Sequence, residues 1–69
     1  MTIGEKIKRL RVERLLSQRG LAAAVGVDVQ SVNRWERGRK QPSLRNLAKL
    51  CDALGITPTE LWKGVDHPK

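Results

Sequence analysis

Four cationic side chains lie within the thirteen residues SVNRWERGRKQPS, which cover positions 31–43. The four are Arg34, Arg37, Arg39 and Lys40, and Glu36 is the only carboxylate in the stretch. Guanidinium and ammonium groups at this density suit nucleic-acid phosphates, because each can neutralise one backbone charge. The alternative is a basic surface that only keeps a small protein soluble.

The residues before Gly38 fit one short helix with two unlike faces. At about 100° per residue, one arc of that helix carries four polar side chains and one small apolar one. They are Val29, Gln30, Asn33, Arg34 and Arg37. Val32 and Trp35 fall on the opposite side, which we predict to be the core face. Amide, guanidinium and methyl groups of this kind read base edges, whereas an ordinary solvated face explains an exposed Val29 less well.

The charge of the whole chain also favours nucleic acid as the partner. Fourteen Lys and Arg face seven Asp and Glu among 69 residues, which gives a net charge of +7. A strongly basic single domain is the electrostatic signature expected of a nucleic-acid binder. Stacking on single strands is disfavoured, because the chain has two Trp and no Tyr or Phe.

The composition disfavours a disulfide, a zinc site and a catalytic site. Cys51 is the only cysteine and His67 the only histidine, so neither an intrachain disulfide nor a Cys/His zinc site can form. The same inventory offers no Ser-His-Asp, Cys-His or paired-carboxylate arrangement. We therefore expect no enzyme, no metal and no cofactor. The sequence shows no signal peptide and no long apolar run, so we expect a cytoplasmic protein.

Five short helices are predicted, each after a residue suited to cap its first turn. These caps are Thr2, Ser17, Asp28, Ser43 and Thr57. The second helix ends at Gly26, the third at Gly38 and the fourth at Gly55. Apolar residues at helical spacing form the core stripes, including Ile3, Ile7, Leu10 and Leu15 in the first helix and Leu44, Leu47, Leu50, Cys51 and Leu54 in the fourth. We predict a compact all-α domain over residues 1–64 and a flexible tail over 65–69.

The second and third helices have the pattern of a helix-turn-helix motif. Ala22 is small where the two helices would touch, and Gly26 stands where the backbone reverses. Val32 and Trp35 supply the bulky apolar groups beneath the second helix of the motif. An αα-hairpin with a glycine turn is the alternative, and the surrounding positive charge argues against it.

From Ile3 to Leu61 the chain resembles the lambda-repressor and Cro type of helix-turn-helix domain, also called Xre-like. The resemblance rests on LSQRGLAAAVGV, SVNRWERGRKQPS, LAKLCDALGI and TPTELW. It implies that the third helix enters the major groove while the start of the second lies over the backbone. Base reading then falls to Val29, Gln30 and Arg34, with Asn33 ancillary. Phosphate contacts fall to Gln18, Ser31, Arg37, Arg39 and Lys40.

The resemblance implies two further points. Arg11 and Glu36 should form a structural ion pair between the first and third helices. The family usually has polar or acidic residues after the glutamine, and here Arg19 and Gly20 stand there. Arg19 is therefore a candidate for one more phosphate contact.

The sequence thus predicts a regulator that binds double-stranded DNA, namely a dimeric repressor of the phage, plasmid or restriction–modification controller type. Such dimers bind pseudo-palindromic sites. Trp62 is assigned equally to the core or to a dimer contact. The alternative is a protein-binding module, either an antitoxin with its toxin or an adaptor on a polymerase subunit.

Overall fold

The computed structural model describes residues 1–66, which form five α-helices and no strand. The helices are α1 (Ile3–Glu13), α2 (Gln18–Val25), α3 (Val29–Glu36), α4 (Leu44–Leu54) and α5 (Pro58–Trp62). This confirms the predicted all-α fold with five helices. No helix in this part of the chain is long and apolar enough to cross a membrane.

Every helix begins at the cap that the sequence predicts. The side-chain oxygens of Thr2, Ser17, Asp28, Ser43 and Thr57 each accept a hydrogen bond from a backbone N–H of the first turn. In α1 and α5 a glutamate three residues later bonds back to the cap, which completes a capping box. Local sequence therefore determines where each helix starts.

All five helices contribute side chains to one apolar core. Its buried members are Ile3, Ile7, Leu21, Ala22, Val25, Val32, Trp35, Leu50, Cys51, Leu54, Leu61 and Val65. Trp35 is 3 % exposed, so the core face predicted for α3 is confirmed. Two leucines expected in core stripes lie outside it, since Leu15 is 93 % and Leu44 86 % exposed.

Leu15 leaves the core because α1 ends before it. The backbone N–H groups of Leu15 and Leu16 bond to the carbonyls of Val12 and Arg11, which is the hydrogen-bond pattern that closes a helix. Leu15 has a φ of 57°, a left-handed conformation that usually falls to glycine. The turn directs Leu15 into solvent, and Leu16 packs against the core instead.

Gly4 allows α1 and α3 to approach closely. It is buried, and a Cβ at this position would collide with the carbonyl oxygen of Trp35 and lie 3.0 Å from that of Glu36. Because both neighbours are backbone atoms, neither can rotate away. The closeness of the two helices brings Arg11 of α1 near Glu36 at the end of α3.

The predicted flexible tail does not begin at Val65. Val65 is 7 % exposed and belongs to the core, because the chain after α5 folds back over α1. The Asp66 N–H donates to the Met1 carbonyl at 2.8 Å, and Nζ of Lys6 donates to the Lys63 carbonyl at the same distance. Residues 67–69 of the predicted tail lie outside the described residues.

Candidate nucleic-acid interface

The turn between α2 and α3 has the geometry that the motif requires. Gly26 adopts a left-handed φ of 85°, and the next N–H, from Val27, donates to the Ala22 carbonyl at 3.0 Å. The chain thereby reverses in three residues and reaches Asp28, the cap of α3. Ala22 and Val32 are buried between the helices. The helix-turn-helix predicted at α2 and α3 is therefore present.

The predicted base-reading residues share the outer face of α3 but differ in exposure. Gln30 and Arg34 are exposed, whereas Val29 and Asn33 are half-buried. Val29 packs against the core, so only part of its side chain can face a partner. The outer face thus presents one flexible amide and one guanidinium, with a more restrained amide beside them.

Five exposed cations lie on this face or beside it. They are Arg19, Arg34, Arg37, Arg39 and Lys40, and all five are exposed. Within residues 1–66 none of them takes part in a hydrogen bond through its side chain, and the ion pairs are Met1–Asp66, Arg9–Glu13 and Arg11–Glu36. Their charge remains available to an external anion. Ser31, also predicted to contact phosphate, is half-buried in the first turn of α3.

Arg45 belongs beside these five and was missed in the sequence. It is exposed, it is unpaired in the described chain, and it follows the basic loop 39–42 at the start of α4. Arg45 lies only five positions after Lys40, and this closeness to the basic loop could have indicated it from the sequence. The family resemblance assigns no role to Arg45.

Asp28 is an exposed acidic group at the start of α3, the helix that carries the predicted base-reading residues. Its carboxylate accepts a hydrogen bond from the Ser31 N–H at 2.8 Å, and this bond lowers the pKa of Asp28. The positive charges of Arg34 and Lys40 lower that pKa further, to a smaller extent. Asp28 is therefore charged near neutral pH and bound to the helix that it caps.

The ion pair expected from the resemblance is formed and is largely buried. Nε of Arg11 lies 2.7 Å from Oε2 of Glu36, and Nη2 lies 3.1 Å from Oε1. A third Arg11 nitrogen, Nη1, donates to the Leu16 carbonyl at 2.8 Å. The pair therefore ties α1 both to α3 and to the turn before α2.

Gln18 is less free than the phosphate-binding prediction assumed. Its Nε2 donates to Oε1 of Glu36 at 3.0 Å, and its Oε1 accepts from Nδ2 of Asn33 at 3.4 Å. Gln18 opens α2 as predicted, but one of its two amide protons is already engaged. Sequence spacing gave no sign of these contacts, since 18 residues separate Gln18 from Glu36.

Comparison with known proteins agrees with this geometry. A helix-turn-helix family model, HTH_3, matches residues 7–61. That span includes α2, α3 and the basic loop after them. The chain belongs to this helix-turn-helix family.

Similar proteins are regulators by name. The chain is 41% identical over 64 residues to the HTH-type transcriptional regulator DicA of Escherichia coli, covering 93% of the chain and 47% of DicA. It is 39% identical to the control protein C.MunI of a Mycoplasma species, covering 91% of the chain and 86% of C.MunI. The chain spans about half the length of DicA and of two other curated relatives, which it covers to 51% and 56%.

Two solved structures have the same fold. The restriction-modification controller protein C.AhdI from Aeromonas hydrophila matches with a TM-score of 0.83 and 42% identity, over 86% of the chain and 89% of C.AhdI. The P22 c2 repressor in complex with a synthetic operator matches with a TM-score of 0.85 and 34% identity, over 93% and 97%. Both likenesses extend over nearly the whole of each domain.

Proposed function

We propose that this chain is a sequence-specific binder of double-stranded DNA and acts as a transcriptional repressor. The observation that carries the proposal is a set of exposed cations on and around the outer face of α3 that make no ion pair within residues 1–66, namely Arg19, Arg34, Arg37, Arg39 and Lys40. Unneutralised cations supply affinity for phosphates, and the amide and guanidinium groups among them supply sequence choice. We infer a binding function without catalysis, exercised in the cytoplasm.

The residue assignments follow from exposure and charge. Gln30 and Arg34 are the principal base-reading groups, with Val29 and Asn33 contributing smaller, restrained contacts. Phosphates are held by the remaining cations, by the second amide proton of Gln18 and by Ser31. A relative supports DNA as the partner, since the P22 c2 repressor was solved in complex with a synthetic operator.

An apolar groove between α4 and α5 is the best candidate for a dimer surface. Its lining consists of Leu44, Leu47, Ala48, Cys51, Pro58, Leu61 and Trp62. Leu44 is 86 % exposed at its edge. In a two-fold dimer the same patch serves both partners, so the projecting Leu44 of one copy can enter the groove of the other. Proteins with this motif commonly bind as dimers at half-sites about 34 Å apart. We propose that a second copy occupies the groove and that Trp62 lies in the contact.

A protein partner as the main ligand is less well supported. One structural relative is the SinR protein in its SinI complex, with a TM-score of 0.84 and 30% identity. Among residues 1–66, no surface supports a toxin or a polymerase subunit as the partner as strongly as the exposed cations support DNA. We therefore keep the protein-binding module as the alternative.

The experiment is an NMR titration of the labelled chain with a short mixed-sequence duplex at low salt. We expect the amide signals of residues 18–19, 29–34 and 37–40 to shift together, and the shifts to disappear as salt rises. The signals of α5 should stay close to their free positions. Shifts confined to α4 and α5, or no shifts, would contradict the proposal.

A further inference from the structure

The buried carboxylate of Glu36 has more partners than an ion pair requires. Its side chain is 3 % exposed and accepts two hydrogen bonds from Arg11. Oε1 accepts a third from Nε2 of Gln18 at 3.0 Å. Glu36 therefore connects the ion pair with α1 to the first residue of α2.

The direction of these hydrogen bonds fixes the orientation of two amides. A carboxylate paired with a guanidinium can only accept, so it selects the amino end of the Gln18 amide. The carbonyl end of Gln18 then faces Asn33 and accepts from its Nδ2 at 3.4 Å. This last contact is long for a hydrogen bond and is the weakest of the series. We call the series Glu36–Gln18–Asn33 the amide relay.

We propose that Glu36 is a positioning residue for base reading, acting through Gln18 on the amide of Asn33. In the orientation that the relay sets, Asn33 keeps its Oδ1 and one N–H without a partner among residues 1–66. One free acceptor and one free donor on the same amide match N6 and N7 of adenine in the major groove. Asn33 thereby becomes a specificity-determining residue with a preference for adenine. This inference rests on the proposed function.

The relay can be tested without DNA from the side-chain amide signals of Gln18 and Asn33. In Glu36→Gln the new amide can present either end to Gln18, so both signals should shift. Arg11→Lys keeps the carboxylate and the neighbouring positive charge, so the Asn33 signal should stay close to its wild-type position. Gln18→Met preserves the Arg11–Glu36 pair and should shift the Asn33 signal even if Glu36→Gln does not fold. An unchanged Asn33 signal in both relay variants would overturn the relay.

The consequence for DNA is tested by the ratio of affinities for the preferred site and for random duplex. Each variant is measured at a temperature at which circular dichroism shows it to be folded. We expect Gln18→Met and Glu36→Gln each to lower the ratio about fivefold or more, since one base contact loses its orientation. In an Asn33→Ala background neither should lower it further. If the variants lowered the ratio by the same factor in the Asn33→Ala background as in wild type, Glu36 and Gln18 would act on DNA by another route. If the single variants left the ratio unchanged, the relay would have no role in base reading.

The two proposals fail in different ways. A wild-type chain that binds every duplex equally would overturn the proposed function, and the amide signals would still decide whether the relay exists. A wild-type chain with a clear site but no adenine dependence opposite Asn33 would leave the proposed function intact and overturn the inference.

Discussion

At the scale of single residues, the molecule uses similar side chains for two different tasks. Arg11 is largely buried and neutralised by Glu36, whereas Arg34 is exposed and makes no side-chain hydrogen bond or ion pair within residues 1–66. The first joins α1 to α3, and the second is proposed to contact DNA. Residue type alone does not separate these tasks, because both are arginines on helices of the same basic chain.

The division between reading and phosphate contact gives the first prediction. Arg34→Ala should cost about 1–3 kcal/mol on the preferred site and relax choice at one base pair, because a base contact is lost. Lys40→Ala should weaken all duplexes alike and reduce the salt slope by about 0.9, because one phosphate contact is lost. Fluorescence titrations at several salt concentrations measure both. If Arg34→Ala weakened random DNA as much as the preferred site, its reading role would be wrong.

Leu15 gives a second prediction, about stability. Its left-handed backbone is strained for any residue with a Cβ, so Leu15→Gly should raise the free energy of unfolding by about 0.5–1 kcal/mol, after the greater freedom of Gly in the unfolded chain is subtracted. Denaturant unfolding measures the change. Leu15→Ala is the matched control, since it removes the exposed side chain but keeps the strain. Equal gains in both variants would show that exposure of the leucine, and not its φ, is the cause.

At the scale of helices, the close packing of α1 on α3 positions the outer face of α3, the proposed DNA-binding surface. Gly4→Ala should destabilise the fold by about 1–3 kcal/mol, because the new Cβ would overlap backbone carbonyls that cannot move aside. Thermal unfolding measures the loss. Gly20→Ala is the control within α2, where the new Cβ would lie 3.3 Å from a side-chain hydroxyl, that of Ser17. A Gly4→Ala variant as stable as the control would contradict the close approach.

The cap of α3 makes part of the stability depend on pH. The hydrogen bond from Ser31 lowers the pKa of Asp28 in the folded chain. Because the pKa of Asp28 is lower in the folded chain than in the unfolded chain, ionised Asp28 stabilises the fold. This stabilisation is present above the pKa in the unfolded chain, about 3.9, and is lost as pH falls through the pKa in the folded chain. Asp28→Asn retains a good cap without the titration. As pH falls below about 4, the free energy of unfolding of wild type should therefore fall more than that of Asp28→Asn. A difference that stays constant with pH in unfolding experiments would contradict this cause.

Helix positions could be predicted from the sequence because caps and glycines act locally. Thr2, Asp28 and Gly26 are examples in which one residue and its neighbours determine where a helix begins or ends. The errors, at Leu15, Leu44 and Val65, concern burial, which depends on what the rest of the chain places nearby. Gln18 shows the same limit at the site, since its partners Glu36 and Asn33 lie on another helix. The outer face of α3 could be predicted because it follows from one helix alone.

At the scale of the whole molecule, the proposed dimer surface lies on α4 and α5, whereas the predicted base-reading residues lie on α3. Leu44→Asp should weaken self-association more than about tenfold, because each two-fold contact loses its apolar burial twice. Sedimentation equilibrium measures the change. Leu15→Asp is the matched control, because Leu15 is equally exposed but lies outside the α4–α5 groove. Equal association of the two variants would place the dimer surface elsewhere.

The central claim is that the outer face of α3, with the exposed cations around it, selects a DNA sequence. The most direct measurement is to bind the protein to a pool of random-sequence duplexes, recover what is retained and sequence it. We predict an enriched pseudo-palindrome whose half-sites lie about one helical turn apart, as expected for two copies on one face of the duplex. If the protein retained duplexes without enriching any sequence, and lost them as salt rises, the claim would be contradicted. The cations around α3 would then bind DNA by charge alone, with no choice of sequence.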